Sequence, residues 1–218
     1  MTAELYFHGT RAKKFNSFDL GQLGTGEGAY AAQGIYFATS LKGACNHAKY
    51  KTRQPGKPLV YVCKVKSSAK ILTLNKPIQD HSLDIKKLWD KLPVWLSTKQ
   101  SEDWYYQIAH TPESHIDHRF PLLDEPERCT LLSSMGIDVL RDFESGAFVD
   151  SYLHGRSHLV LNPTIIDIVE VLDVESIQSE IYGTAKQYRL ENEYAPFGST
   201  IVMSKLRQYP FDDNLLTV

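Results

Sequence analysis

The chain has 218 residues, of which 42% are hydrophobic and 23% charged, and its formal net charge at pH 7 is −2. This length allows one domain with a sizeable core, and the composition is typical of a soluble globular protein rather than a disordered or fibrous one. The near-neutral charge argues against a protein that wraps duplex nucleic acid, because that mode needs many phosphate-neutralising Lys and Arg side chains.

Targeting signals and cysteine usage indicate where the protein works. No apolar run reaches the roughly 18 residues that a membrane helix needs, and the N-terminus lacks the profile of a signal peptide. The three cysteines, Cys45, Cys63 and Cys129, have no CxxC spacing, which favours reduced thiols. We therefore expect a soluble protein with no membrane partner. It would be cytoplasmic, or delivered into a target cell without a classical signal peptide.

Strand and loop signals dominate the first part of the chain. Residues 3–7 form an apolar run that predicts a strand ending at His8-Gly9-Thr10. Residues 11–33 have little periodicity and several glycines, which indicates a long loop. The pattern then predicts a second strand over 34–38 and a helix over 41–51.

The rest of the chain mixes both kinds of signal. The segments 59–65 and 70–74 predict a β-hairpin, and a helical insert is expected at about 82–118. A short helix is predicted over 127–135, and strands are predicted over 137–140, 158–161 and 165–172. These elements predict an α+β fold, with residues 1–172 as one domain and residues 173–218 as a C-terminal extension packed on it.

Two short segments carry candidate binding chemistry. The first strand ends in His8-Gly9-Thr10, where an imidazole and small residues leave the backbone open to a ligand. The second segment is Gly34-Ile35-Tyr36-Phe37-Ala38-Thr39-Ser40, in which alternation sends Tyr36 to one face of a strand and Phe37 to the other. Each segment alone also fits a turn histidine or a half-buried strand tyrosine of purely structural importance.

In this order, the two segments resemble the His-Tyr-Glu branch of the ADP-ribosyltransferase superfamily, which includes diphtheria-toxin-like and poly(ADP-ribose) polymerase-like enzymes. The similarity covers residues 4–50 and extends more loosely through 59–74 and 127–170. It implies an ADP-ribosyltransferase-like fold, with a split antiparallel sheet, flanking helices and a helical insert. It also implies a cleft that takes NAD⁺ as its substrate and needs no metal.

The resemblance assigns roles to particular side chains. His8 would hydrogen-bond the adenosine-side ribose, Gly9 would offer main-chain groups to the nicotinamide amide, and Tyr36 would stack on the nicotinamide ring. A second ring is expected about three helical turns later, where His47 and Tyr50 are both candidates. The remaining candidate cofactor-binding residues lie in the same two segments and are Thr10, Gly34, Phe37, Ala38 and Ser40.

The chain departs from the family's His-Tyr-Glu pattern at the Glu, which in the family lies at the start of a late strand. In the family this carboxylate stabilises an oxocarbenium-like transition state as nicotinamide leaves. The corresponding position falls on His158. Three explanations are open: His158 replaces the Glu, the carboxylate is Glu144 or another residue of the 141–156 loop, or the site binds NAD⁺ without turnover. The candidate catalytic residues are therefore His8, Tyr36, His158 and Glu144.

The missing Glu implies transfer of a single ADP-ribose, so the resemblance points to a mono-ADP-ribosyltransferase of the bacterial or phage toxin type. Its acceptor would be a protein or a single-stranded nucleic acid, and a small molecule is also open. Such a toxin or effector would have an antitoxin or immunity protein as a further partner. The alternatives are an NAD⁺ glycohydrolase toxin and a non-catalytic module that binds NAD⁺ or ADP-ribose.

Overall fold

The computed structural model describes residues 5–25, 33–39, 41–52, 54–74, 76, 78–89, 125–143 and 157–176. The strands are β1 (Leu5–Thr10), β2 (Ile35–Ala38), β3 (Leu59–Val65), β4 (Ile71–Thr73), β5 (Val139–Arg141), β6 (Ser157–Val160) and β7 (Ile166–Asp173). The α-helices are α1 (Leu41–Asn46), α2 (Leu83–Trp89) and α3 (Glu125–Ser134), and a π-helical turn, His47–Lys51, continues α1. Short 3₁₀ turns cover Leu20–Gln22, Ile78–Asp80 and Pro163–Ile165. The predicted α+β class is confirmed.

The seven strands form one mixed sheet in the order β4-β5-β6-β2-β1-β3-β7. All neighbouring strands run antiparallel except β4 and β5, which pair in parallel. The expectation of an antiparallel sheet is therefore wrong at this one edge. Parallel neighbours need a long connection, and the segment between Thr73 and Val139, which contains α2 and α3, provides it.

The predicted hairpin of 59–65 with 70–74 is also wrong, since β3 pairs with β1 and β7 while β4 lies at the opposite edge. Main-chain and side-chain bonds explain the difference. The Lys70 N–H donates to Asp138 Oδ2 at 2.8 Å, and the Asp138 N–H donates to the Lys70 oxygen at 2.9 Å. These bonds fix the start of β4 beside β5, so the chain crosses to the other side of the sheet.

The sheet narrows between β1 and β2. Their ladder contains one residue pair, Phe7 with Ala38, whereas β1 pairs with β3 over all six of its residues. On the other side, β2 pairs with β6 over all four of its residues. The sheet therefore consists of two well-paired halves, β4-β5-β6-β2 and β1-β3-β7, which one residue pair joins.

One face of both halves packs against helices. In the half that contains β1, Phe7 and Val62 lie in one buried cluster with Leu41 and Cys45 of α1. In the other half, Leu140 and Leu159 lie in a second cluster, which also contains Ile85 of α2 and Cys129 of α3.

The opposite face of the sheet carries a third cluster, which includes Tyr6, Phe37, Tyr61 and Cys63. Phe15, Phe18 and Leu23 from the segment after β1 pack against this cluster. Each of the three core clusters therefore contains one of the three cysteines, all of them buried.

Parts of the predicted domain organisation lie outside the described residues. The helix α2 begins the expected insert at 82–118, but residues 90–124 are not described. Of the expected extension at 173–218, the structure describes residues up to 176, and Val174 is buried in the α1 cluster. Within the described part of the chain, no helix has the length and apolar character needed to span a bilayer.

Candidate functional site

The His8 side chain bridges the two strands at the point where their ladder is reduced to one pair. Its Nδ1 lies 2.8 Å from the Tyr36 main-chain oxygen, which is 28 residues further along the chain. A carbonyl oxygen only accepts, so Nδ1 donates and the uncharged ring carries its lone pair on Nε2. His8 therefore presents a hydrogen-bond acceptor at the junction of the two halves of the sheet.

The surroundings of His8 keep it uncharged. The pKa of His8 is lowered to about 4, mainly by burial and in smaller part by nearby His47, while the bond to the Tyr36 oxygen raises it. The imidazole is half-buried, with the Phe18 ring edge-on at 5.2 Å and the Phe37 ring at 5.5 Å between centroids. At neutral pH the ring is therefore an acceptor rather than a cation.

Gly9 allows α1 to approach β1 closely. A Cβ at this position would overlap the Ala44 carbonyl oxygen and lie 2.9 Å from the Ala48 nitrogen, so no larger residue fits without movement. This close approach brings the π-helical turn to β1, where His47 Nδ1 lies 3.1 Å from the Gly9 oxygen and donates to it. Thr10 is buried, and its hydroxyl accepts a bond from the Ala12 N–H at 3.1 Å.

The residues of β2 divide between the two faces as alternation predicts, which confirms that part of the interpretation. Phe37 is buried in the third cluster beside Tyr6, at 6.0 Å between ring centroids. Tyr36 is half-buried on the opposite face, where it packs edge-on against Phe143 at 5.8 Å. Ala38 is half-buried and pairs with Phe7, and Gly34 is buried against the Leu159 side chain.

The two candidates for the second ring lie in different places. His47 contacts Gly9, as described above. Tyr50 is 68% exposed, and Lys49 Nζ lies 5.3 Å from the centroid of its ring. Of these two residues, the structure brings His47 to the segment that carries His8 and leaves Tyr50 facing solvent.

The segment after β1 covers the His8 side of the sheet. Phe15 stacks on Tyr61 with centroids 4.1 Å apart, and its N–H donates to the Tyr61 hydroxyl at 2.8 Å. This anchor places Phe18 against both His8 and Phe37. No local pattern indicates this role of Phe18, since residues 11–33 have little periodicity; its only signal is the pair of aromatic residues, Phe15 and Phe18, that follows His8.

His158 lies in the interior, with 1% of its surface exposed. It pairs with Phe37, and its ring lies tilted against Tyr6 with the centroids 4.6 Å apart. Its Nδ1 accepts the Asp142 N–H at 3.1 Å and also lies 3.1 Å from the Ser157 oxygen. The geometry makes His158 a buried imidazole whose Nδ1 is held by main-chain groups, and it leaves the role of this residue in catalysis a prediction.

Two polar residues beside His158 were not singled out from the sequence. Ser157 lies opposite Ala38, on the same face as Tyr36, and among the described residues none bonds its buried hydroxyl. Asp142 is buried and has a φ of 59°, which is uncommon for a residue other than glycine. The next residue, Phe143, donates its N–H to the Ser157 oxygen at 2.9 Å and contacts the Tyr36 ring.

Asp142 therefore supplies a buried carboxyl one residue before Phe143, whose ring touches Tyr36. It belongs to the 141–156 loop from which a replacement carboxylate was expected, and strained backbone of this kind is often found at functional sites. Glu144 and Ser40 lie outside the described residues. In the described part of the chain, no cluster of three His, Cys, Asp or Glu side chains could hold a metal ion.

Comparisons of the chain with protein-family models, with curated proteins and with solved structures found no match.

Proposed function

We propose that the chain is a mono-ADP-ribosyltransferase with an ADP-ribosyltransferase-like core, which binds NAD⁺ where β1 and β2 separate. The observation that carries this proposal is the 2.8 Å bond from His8 to the Tyr36 oxygen, because it joins the two segments selected from the sequence. The narrowing of the sheet to the single Phe7–Ala38 pair supports a split core.

Each group at the junction has a physical task in this proposal. The Nε2 of neutral His8 accepts a hydrogen bond from a ribose hydroxyl. The main-chain groups of Gly9 recognise the carboxamide of nicotinamide, and the rings of Tyr36 and His47 lie against the planar nicotinamide.

The reaction breaks the bond between C1′ of the ribose and the nicotinamide nitrogen, and the electron pair leaves with nicotinamide. A lone pair of the acceptor then forms the new bond to C1′, and the acceptor releases its proton to solvent. Positive charge develops on the ribose, so a fixed carboxylate lowers the barrier. We assign this task to Asp142, with Glu144 as the second candidate, because the imidazole of His158 has no negative charge to offer.

The test is nicotinamide release from NAD⁺, followed by incubation of labelled NAD⁺ with a whole-cell extract. His8→Ala and Tyr36→Ala should both lose nicotinamide release while their far-ultraviolet circular dichroism stays that of the wild type. Val169→Ala is the control, because Val169 is 48% exposed on the edge strand β7. Unchanged turnover in both site variants would contradict the proposal. The labelled fraction identifies the acceptor as protein, RNA or DNA.

Two other functions give different outcomes in the same assays. An NAD⁺ glycohydrolase would release free ADP-ribose and label no macromolecule. The burial of His158 at the position of the family Glu favours a third outcome, a module that binds NAD⁺ or ADP-ribose without turnover. Calorimetry would then show binding with no nicotinamide release. A toxin or effector role, with an antitoxin or immunity partner, stays a further part of the proposal.

A further inference from the structure

Basic residues are concentrated in two short segments of the chain. Residues 8–18 and 41–58 together contain eight of the 24 Lys and Arg residues and no Asp or Glu. The rest of the chain has 16 basic and 26 acidic residues. The overall charge of −2 therefore hides a strong local separation of positive from negative charge.

The structure brings these two segments together beside the proposed NAD⁺ site. Arg11 Nε donates to the Ala48 oxygen, and its terminal nitrogen donates to the Lys49 oxygen, both at 2.9 Å. Its other terminal nitrogen lies 3.5 Å from the Gly56 oxygen. Arg11 therefore fixes the chain that leads to Lys13 and Lys14 against the π-helical turn and the loop after it.

The side chains on this surface point outward. Lys13, Lys14 and Lys57 are exposed, and Asp19, the nearest acidic residue along the chain after β1, accepts the Gly21 N–H at 2.8 Å. Tyr50 is 68% exposed on the same π-helical turn whose first residue, His47, contacts Gly9. An exposed ring beside Lys49, on the turn that also carries His47 and near segments with further exposed lysines, is a combination that binds single-stranded nucleic acid.

We propose that the surface formed by Lys13, Lys14, Lys49, Tyr50 and Lys57, called here the basic surface, binds a single-stranded nucleic acid. A base stacks on Tyr50 and the phosphates lie against the lysines. This inference deepens the proposed function and rests on it in one respect, since the bound strand is then the acceptor of ADP-ribose. The binding itself requires no NAD⁺.

The test measures fluorescence anisotropy of a labelled oligo(dT) of about 20 nucleotides at several salt concentrations, without NAD⁺. A plot of log affinity against log salt has a negative slope, to which each phosphate contact on a single strand contributes about 0.7. The variant K13E/K14E/K57E should make this slope shallower by about two. The matched variant K64E/K76E/K87E changes the charge equally at exposed lysines outside the two basic segments, and it should keep the wild-type slope.

Tyr50→Ala should weaken oligonucleotide binding about tenfold with an unchanged salt slope, because it removes stacking and no charge. The proposal is overturned if the wild type does not bind the oligonucleotide, or if the two triple variants lose affinity equally. It is also overturned if a poly-glutamate peptide of the same length binds more tightly, since the surface would then serve an acidic protein.

Calorimetry with NAD⁺ separates this inference from the proposed function. The variant K13E/K14E/K57E should bind NAD⁺ as the wild type does, because none of its three changes touches the His8 site. Oligonucleotide binding without any NAD⁺ binding would contradict the proposed function and leave the basic surface standing. The opposite result would contradict the basic surface alone.

Discussion

Replacing His8 by Asn separates the two hydrogen-bonding tasks of this residue. The Asn side-chain amide reaches about as far as Nδ1 of the imidazole, so it can still donate to the Tyr36 oxygen, which lies 2.8 Å from Nδ1 in the wild type. Nothing in the Asn side chain takes the place of Nε2. The variant should therefore keep the contact between β1 and β2 and lose the acceptor offered to the ribose.

The expected loss of NAD⁺ affinity follows from the unpaired ribose hydroxyl. A hydrogen bond lost with one partner left unsatisfied costs about 1–3 kcal/mol, which corresponds to roughly a 5- to 150-fold weaker affinity. Isothermal titration calorimetry at pH 7 measures this change directly. A folded His8→Asn variant that binds NAD⁺ as tightly as the wild type would refute the assignment of Nε2 to the ribose.

The same variant tests the cause of the lowered pKa. His8 takes up a proton near its ordinary pKa of 6.5 in the unfolded chain but only near pH 4 in the folded protein. The free energy of unfolding should therefore fall as the pH drops through this window, by about 2 kcal/mol between pH 7 and pH 5. His8→Asn should lack this part of the fall in urea unfolding. If both proteins showed the same pH dependence of the free energy of unfolding, the burial of His8 would not be the cause of this fall in stability.

Two further substitutions test the supporting residues. Gly9→Ala should lower the free energy of unfolding by about 1–3 kcal/mol, because the added methyl overlaps the Ala44 carbonyl. The control Gly21→Ala, at an exposed turn, should change the free energy of unfolding by less than about 0.5 kcal/mol. Equal effects in urea unfolding would count against the close approach of α1. Asp142→Asn should slow nicotinamide release about 100-fold at nearly unchanged NAD⁺ affinity, since Asn tolerates the φ of 59° but carries no charge. A normal rate would remove Asp142 from the reaction.

Patterns within a short stretch of sequence predicted those features of the site that depend only on residues adjacent in the chain. Strand alternation was enough to place Tyr36 and Phe37 on opposite faces, because the direction of a strand side chain depends on its position alone. Counting about three helical turns from Tyr36 leads to His47, and the structure brings His47 to Gly9. Tyr50, which the chemistry of its ring favoured, lies on the same π-helical turn but is exposed to solvent.

Features that depend on distant partners could not be predicted. The position of β4 is fixed by bonds between Lys70 and Asp138, which lie 68 residues apart, and no local pattern around β4 contains that information. The same is true of Phe18, which covers His8 only because Phe15 is anchored to Tyr61. Alternation and turn signals identify strands, but neighbours in a sheet are selected by such long-range contacts.

The presence of one cysteine in each core cluster offers a way to follow local unfolding of the protein. Burial raises the pKa of Cys45 and of Cys63 to about 12, so neither thiol forms the reactive thiolate while its cluster is closed. Cys129 is buried in the second cluster. Chemical labelling of the native protein can be measured separately at each cysteine. The labelling rates would therefore report local unfolding of each half of the sheet and of the third cluster on the opposite face. Unequal labelling rates would show that the halves joined at Phe7 and Ala38 open independently.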